Sequence, residues 1–305
     1  MCIALVSTHH PAYSLIIIDN RDEFLHRPTS SPDWWPEPSS FVLGSRDLAR
    51  ATHGTWMGIT KQGKVAVLTN YREDKATEAI GQYSRGRIVN SWLMSPPDER
   101  QTTHDFVQAM VASPEAKQVG GFSLICGHIN EPLAIVSNRS SDMDHITWVA
   151  SERNQTRGLS NTSVDDRSWP KILDGERLMQ EAIEAHAQSQ EDEDALLERL
   201  LAVLSTDTLP RLHGRETITR YLHQISPRNT EQTAAARIED KAKPTTGGPY
   251  DQNYSSGPYG TQKQTILLAQ PDGRVRYFER TLYDEKVNAV PIGQGDRSFE
   301  FHVEP

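Results

Sequence analysis

Cysteine is nearly absent from this chain: Cys2 and Cys126 are the only two among 305 residues. A disulfide framework uses more, so the sequence points to a reducing compartment, with the cytosol as the default. There is no dense Lys/Arg cluster, and the net charge is -9. Phosphate backbones need a basic surface, which excludes a nucleic-acid partner. No apolar run approaches the roughly 20 residues that span a bilayer, so no integral membrane segment is expected. The longest run, Leu15-Ile16-Ile17-Ile18, ends in charge at Asp19, as a buried strand does. The opening Met1-Cys2-Ile3-Ala4-Leu5-Val6 carries no basic residue, no small-residue cleavage site and no arginine-rich amphipathic pattern. It does not read as a secretory or transit segment. A P-loop, a Rossmann glycine fingerprint and zinc-spaced Cys/His clusters are also missing, so no cofactor and no metal is expected.

What is present predicts an α+β protein. Residues 3–7 and 13–19 are β-rich runs around the turn-forming Thr8-His9-His10-Pro11. The second run is apolar almost throughout, which marks a strand covered on both faces. Residues 27–40 form a Pro/Ser/Trp-rich loop. Exposing Trp34 and Trp35 side by side is costly, so the loop packs down or walls a cleft. Residues 55–59 and 64–69 make a second hairpin, with Gly63 supplying the positive φ of its turn. Helices are expected over 84–95 and over 97–112, the second from Pro97-Asp98-Glu99 in its first turn. Strands are expected at 122–128, 133–137 and 146–151. Helices follow at 169–188 and 192–205, the latter with Leu196, Leu200 and Leu204 on one stripe. The stretch 206–258 is the least regular, and 237–258 reads as a flexible loop. A hairpin over 264–269 and 274–280 follows, and 299–303 closes a sheet edge. Strands at both ends with helices between suggest two sheets with helices packed on them, in one domain over 1–305.

Cys2 carries the most chemistry. Methionine aminopeptidases remove Met1 when the second residue is small, and cysteine qualifies. Removal leaves a thiol and a free α-amine on one residue. With a pKa of roughly 7.7 to 8, that amine is a general base near neutral pH. It takes the thiol proton, directly or through a water, as sulfur attacks a carbonyl. The plain alternative is a small residue opening a buried strand. Asn20-Arg21-Asp22-Glu23 follows the second strand, and a hairpin of this size brings Arg21 near Cys2. A guanidinium there favours the thiolate, and Asp22 or Glu23 orients the arginine or holds the α-amine. Here the plain alternative is a solvated charged turn. Among the rest, His9-His10 reads as a metal or haem site or as solvated turn residues. Asp47 supports the site or makes a turn hydrogen bond. Cys126 is a core thiol, and residues 191–193 are a charge run at a helix start.

Asn20-Arg21-Asp22-Glu23-Phe24, with Cys2 upstream and Arg27-Pro28 after it, resembles the signature of the NRDE family, the transport and Golgi organisation protein 2 group. Further segments match it in order: Gly44-Ser45-Arg46-Asp47, Gly54-Thr55-Trp56-Met57-Gly58, Leu68-Thr69-Asn70-Tyr71-Arg72-Glu73, Ser84-Arg85-Gly86 and Ser137-Asn138-Arg139. They continue through Gly158-Leu159-Ser160-Asn161, Trp169-Pro170-Lys171 and Tyr259-Gly260-Thr261. Each is weak alone; the ordered set is specific and spans nearly the whole chain.

That family is similar in its opening to the N-terminal-nucleophile amidases, such as bile salt hydrolases and penicillin V acylases. The resemblance implies a four-layer αββα sandwich with an N-terminal cysteine exposed by processing. It implies hydrolysis of a non-peptide C–N amide, or acyl transfer, with Cys2, Arg21, Asp22, Asn70 and Asn161 as the catalytic set. The two asparagines would be oxyanion donors. Asn20, Glu23, Trp56, Tyr71 and Lys263 are the expected substrate-binding residues. Arg21 and Asp22 are adjacent here, where those amidases space them two apart, so Asp22 and Glu23 both stand for the acidic role. The family often has arginine after Tyr-Gly-Thr; this chain has Gln262, leaving Lys263 as an imperfect substitute without the bidentate fork. The alternative is a non-catalytic carrier for lipid or haem, linked to Golgi organisation and secretion. The partner is thus a small-molecule amide, a lipid or a haem-like ligand. Cytoplasm is the expected location, with Golgi or mitochondrial association implied by the family.

Overall fold

Strand β2 (Leu15–Phe24) shows why this chain stacks in layers. Leu15 and Ile17 point to one face, Ile16 and Ile18 to the other, and all four are buried. A strand apolar on both sides is stable only when both sides are covered. The computed structural model describes residues 2–72, 84–96, 101–189, 191–207, 254 and 257–304, and they supply both covers.

β2 lies inside a six-stranded antiparallel sheet with β1 (Ile3–Ser7), β10 (Thr156–Ser160), β11 (Tyr259–Ala269), β12 (Arg274–Thr281) and β13 (Asp296–His302). Their order is β10-β1-β2-β11-β12-β13. A seven-stranded sheet runs in chain order through β3 (Asp33–Trp34), β4 (Val42–Gly44), β5 (Met57–Thr60), β6 (Lys64–Asn70), β7 (Phe122–His128), β8 (Leu133–Ser137) and β9 (Thr147–Val149). The sheets meet over Ala4, Val6 and Ile17 from one and Met57, Ile59, Val65 and Val67 from the other. Helices α1 (Gly86–Leu93) and α2 (Thr103–Ala112) cover the outer face of the seven-stranded sheet. Helices α3 (Pro170–Gln188) and α4 (Glu193–Leu204) cover the six-stranded one, through Met179, Ile183, Leu196 and Leu200. Each buried Leu, Ile or Met contributes about 1.5–3 kcal/mol. The result is the expected four-layer αββα sandwich.

One expected feature needs correction. Asn20-Arg21-Asp22-Glu23 does not follow the second strand; it is the end of it. β11 pairs along β2 from Ala269↔Leu15 to Tyr259↔Phe24, with a bulge between Thr261 and Lys263. Of the second expected helix, over 97–112, the described residues are helical from Thr103. Residues 97–100 lie outside the described residues, and α2 starts at Thr103, where Thr102 and Asp105 form a reciprocal capping box. Strands β3, β4 and β10 were not foreseen. Most of the loop expected at 237–258 lies outside the described residues. The expected turn at Gly63 is present, with φ +81° and its N–H bonded to Thr60 O at 3.0 Å.

The Trp34-Trp35 loop packs down. Trp35 is buried and donates from its indole to Gly44 O at 2.9 Å, while Trp34 sits edge-on to Phe301. His9-His10 is not a solvated pair. His10 is buried, with Nε2 3.0 Å from His186 Nδ1. His186 Nε2 lies 2.9 Å from Asp192 O, and the Ala12 N–H donates to His10 Nδ1 at 3.0 Å. A carbonyl only accepts, so His186 carries its proton on Nε2 and accepts from His10 through Nδ1. These bonds tie the β1–β2 turn to the α3–α4 turn with both rings neutral. Burial, together with the neighbouring His186, pushes His10 down to about 4. The charge run at 191–193 stands at a helix start, as expected. Asp192 caps α4, and Glu193 accepts from Tyr13 and Arg274, each at 2.7 Å.

Candidate active site at the amino-terminal strand

The β1–β2 register pairs Ile3 with Asn20, so one step further Cys2 falls beside Arg21 on the face between the sheets. The two line a cleft of about 160 Å³ with Asp22, Glu23, Arg27, Asp47, Trp56, Asn70 and residues at the start of α1. Cys2 is 8% exposed, and its sulfur lies 3.4 Å from the Asp22 N–H and 3.5 Å from the Asp22 carbonyl. Burial first and the Asp22 charge second push this thiol up to about 11. With residue 1 in place, Cys2 is therefore a protonated thiol at neutral pH. Cys126, facing the helices from β7, is also held protonated by burial and belongs to the core.

Asp22 or Glu23 was expected to orient Arg21 or hold the α-amine; the described contacts of Arg21 lie with other residues. Its guanidinium donates to the Gln262 side-chain oxygen and, at 3.3 Å, to Asp47, and it stacks on Trp56 at 4.6 Å from the ring centre. Asp47 also accepts from Arg27 Nε at 2.6 Å, so one carboxylate serves two arginines. Asp22 instead accepts from the Thr261 hydroxyl at 2.6 Å, and its main-chain oxygen accepts from Tyr259 OH at 2.9 Å. Glu23 lines the cleft too, with Oε1 on the Phe24 N–H at 3.0 Å. Asn70, at the end of β6, faces the cleft, and its backbone oxygen accepts from the Asn161 amide at 2.5 Å. Asn161 thus holds the Asn70 backbone with one amide hydrogen and keeps the other.

Three of the expected binding residues point elsewhere. Lys263 is 2% exposed and spent on buried Glu279 at 2.8 Å and on the Thr281 hydroxyl at 3.0 Å. It cannot replace an arginine in the cleft. The bulge is the reason: the extra residue, Gln262, meets Arg21, and Lys263 turns to β12. Asn20 faces the helix layer, where it donates to Leu204 O at 2.7 Å and satisfies an orphan carbonyl of α4. Tyr71 sits under the Arg139 guanidinium, 3.7 Å from the ring centre. Trp56 does line the cleft, and its indole N–H is buried without a partner among the described residues.

Several site residues escaped the sequence reading. Lys171, second residue of α3, donates from Nζ to Cys2 O at 2.9 Å, and Ser160 donates to the same oxygen at 2.7 Å. Burial lowers the Lys171 ammonium to about 8, against the opposing pull of Asp22 and Cys2. Its signal was the Trp169-Pro170-Lys171 segment. Asp19, one pleat behind Arg21, is buried with both oxygens unpartnered among the described residues. Burial and then the Asp22 and Glu279 charges hold it well above the usual carboxylate range. Gly54 and Gly86 form part of the cleft wall by backbone contact. A Cβ on Gly54 would stand 2.6 Å from Gly86 Cα, and one on Gly86 2.8 Å from Gly54 Cα. Among the described residues, no group of three or more His, Cys, Asp or Glu could hold a metal ion, and no helix is long and apolar enough to cross a membrane.

The profile of the Transport and Golgi organisation 2 family matches residues 1–284. The chain belongs to that family. A transport and Golgi organization protein 2 homolog from Bos taurus is 29% identical over 282 residues, covering 89% of this chain and 87% of its own. The Homo sapiens homolog is 29% identical over 308 residues, covering 96% and 94%. Among solved structures, a Caenorhabditis elegans N-acylethanolamine-hydrolyzing acid amidase ortholog superposes with a TM-score of 0.48 at 12% identity, covering 89% of this chain and 94% of its own. A conjugated bile acid hydrolase from Clostridium perfringens gives 0.44 at 10%, covering 99% and 97%.

Proposed function

We propose that this protein cleaves a non-peptide C–N amide, or transfers its acyl group, with Cys2 as the N-terminal nucleophile. The observation that carries the reading is the placement of Cys2 in a cleft beside a fixed guanidinium, with the Asp22 N–H on its sulfur. Once Met1 is gone, the α-amine accepts the thiol proton as sulfur bonds to the substrate carbonyl carbon. The C–N bond then breaks, and the departing amine takes that proton. Water, deprotonated by the same α-amine, attacks the thioester and restores the thiol; another acceptor in its place gives transfer. Asn70, held by Asn161, donates to the oxyanion. Arg21, fixed by Asp47, Gln262 and Trp56, favours the thiolate. Asp22 takes the acidic role beside Cys2. The arginines of the lining outnumber its carboxylates, which suits a substrate with an acidic group. We place the activity in the cytoplasm.

One observation favours a binding role instead. The Cys2 sulfur is buried against Asp22, which holds its thiol up, and an unprocessed chain has no α-amine on Cys2 to take the proton, so there the cleft serves to hold a ligand. A carrier of an acidic lipid or haem-like ligand, acting in Golgi organisation and secretion, is that second reading.

Intact-protein mass spectrometry before and after mild treatment with a thiol-directed probe separates the two. Loss of the Met1 mass with labelling of Cys2 over Cys126 supports the nucleophile, and an amide-substrate screen with detection of a thioester on Cys2 completes the case. Retained Met1, or an inert Cys2 in the processed protein, sinks the catalytic mechanism.

A further inference from the structure

The carbonyl of Cys2 accepts two side-chain hydrogen bonds, from Lys171 Nζ at 2.9 Å and Ser160 Oγ at 2.7 Å. Two donors fill both lone pairs of a carbonyl oxygen. Residue 2 is therefore held in one orientation from outside the strand ladder, which begins only at Ile3. A lysine is a costly choice for this task. Lys171 is the second residue of α3, directly after Pro170, where the positive end of the helix dipole opposes a cation. It is also drawn into the protein far enough for burial to lower it to about 8. A neutral donor such as a glutamine or serine would make the same hydrogen bond without either cost. The charge itself is what the position adds.

That charge stands close to the group the chemistry needs. Within one residue the backbone nitrogen and oxygen are about 3 Å apart. An ammonium bonded to the Cys2 oxygen therefore lies roughly 6 Å from the α-amine that removal of Met1 exposes. We propose that Lys171 is a positioning residue that clamps the Cys2 carbonyl and, as a neighbouring cation, keeps the exposed α-amine neutral and the thiol easier to ionise. This rests on the reading of Cys2 as the nucleophile. An ammonium beside a second ammonium is repelled, so the α-amine gives up its proton at lower pH. The same cation attracts the thiolate. Both effects move Cys2 toward its reactive form at neutral pH, against burial and the Asp22 and Asp19 carboxylates, which act the other way on the thiol.

The test uses the full chain with Cys2 made N-terminal by a site-specific protease, whatever the cell does with Met1. The rate of Cys2 alkylation by iodoacetamide is followed by intact mass from pH 6 to 10, with buried Cys126 as the internal control. Lys171→Met is expected to move the acid limb of the profile up by about one pH unit, slowing labelling near pH 7 about tenfold. Lys171→Arg keeps the charge and is expected to follow the wild-type acid limb, parting from it only above about pH 8, where Lys171 loses its proton. Lys171→Gln keeps a donor without the charge, folds if the methionine variant does not, and is expected to shift as Lys171→Met does. Profiles of Lys171→Gln and wild type that superimpose overturn the proposal. The outcome is separable from the fate of the hydrolase reading. A failed amide screen with a displaced profile removes the hydrolase and leaves the clamp, and turnover with superimposed profiles does the reverse.

Discussion

Replacing His10 by glutamine is expected to remove a specific part of the protein's acid sensitivity. In the folded protein His10 donates to His186 and accepts from the Ala12 N–H, so neither ring nitrogen has room for another proton. It is held near 4, against about 6.5 for a histidine in an unfolded chain. The folded state therefore binds this proton more weakly than the unfolded state. The resulting stability is fully present above pH 6.5 and is lost as pH falls toward 4, by about 3 kcal/mol over that window. The wild-type curve alone is not the test, because Asp19 acts with the opposite sign. Its folded carboxyl is raised, so it contributes at low pH and its contribution fades as pH rises above the ordinary carboxylate value. Glu193 falls outside most of the window. Burial would raise it, but Arg274, Tyr13 and Arg276 hold it down to about 2, so its contribution is lost only below the normal glutamate range. Both terms cancel in a difference. Urea unfolding of wild type and His10→Gln at half-unit steps from pH 7.5 to 4 gives that difference directly. Glutamine donates to His186 but does not titrate, so the gap between the curves shrinks by about 3 kcal/mol as pH falls. Parallel curves would refute the reasoning.

Other outcomes follow from the same geometry. Lys263→Met leaves Glu279 buried and uncompensated and costs about 3–5 kcal/mol, while Lys263→Met with Glu279→Leu recovers most of it; urea midpoints decide. A single variant no worse than the double would show that the pair is not buried as described. Asn161→Ala frees the Asn70 backbone and lowers amide turnover by about 10²–10³. Asn20→Ala, on the far side of the sheet, costs about 1 kcal/mol of stability and leaves Cys2 labelling unchanged. A loss of Cys2 labelling in Asn20→Ala would mean that the two faces of the sheet are not separate. Gly54→Ala is destabilising by about 1–3 kcal/mol, and a variant of wild-type stability would show that the backbone contact with Gly86 is looser than drawn.

Much of the fold was legible because its signals are local. Strands β7 and β8 are apolar runs bounded by turns, and α4 has a leucine stripe behind the capping Asp192. The short strands were hidden. β10 holds an exposed Arg157 and Gly158, so only its pairing with β1 makes it a strand. Asn20-Arg21-Asp22-Glu23 reads as a turn because it is polar, but β11 extends along it and the cleft accepts its charges. Cys2, Arg21 and Asn70 stand out in the sequence because their chemistry or local motif sets them apart, and all three line the cleft. Lys263 was misplaced because one bulged residue exchanges which of two neighbours faces the arginine, and no periodicity announces that. Asp47 was a candidate support in the sequence, but Lys171 reaches Cys2 from a distant part of the chain, a proximity that only the completed sandwich creates.

The contact between Gly54 and Gly86 bears on how this protein can change over evolutionary time. Many packing faults can be relieved by a second substitution, because an intruding side chain has a neighbour that can shrink. Here the neighbour is main chain, the same atoms whatever residue each position carries. A methyl group at either glycine has no compensating partner, so drift cannot cross this pair one step at a time. The wall that Gly86 presents to the cleft is therefore expected to keep its spacing as the sequence drifts. Changes in the shape of the cleft are left to side chains elsewhere on the lining, such as Arg50 and Leu68.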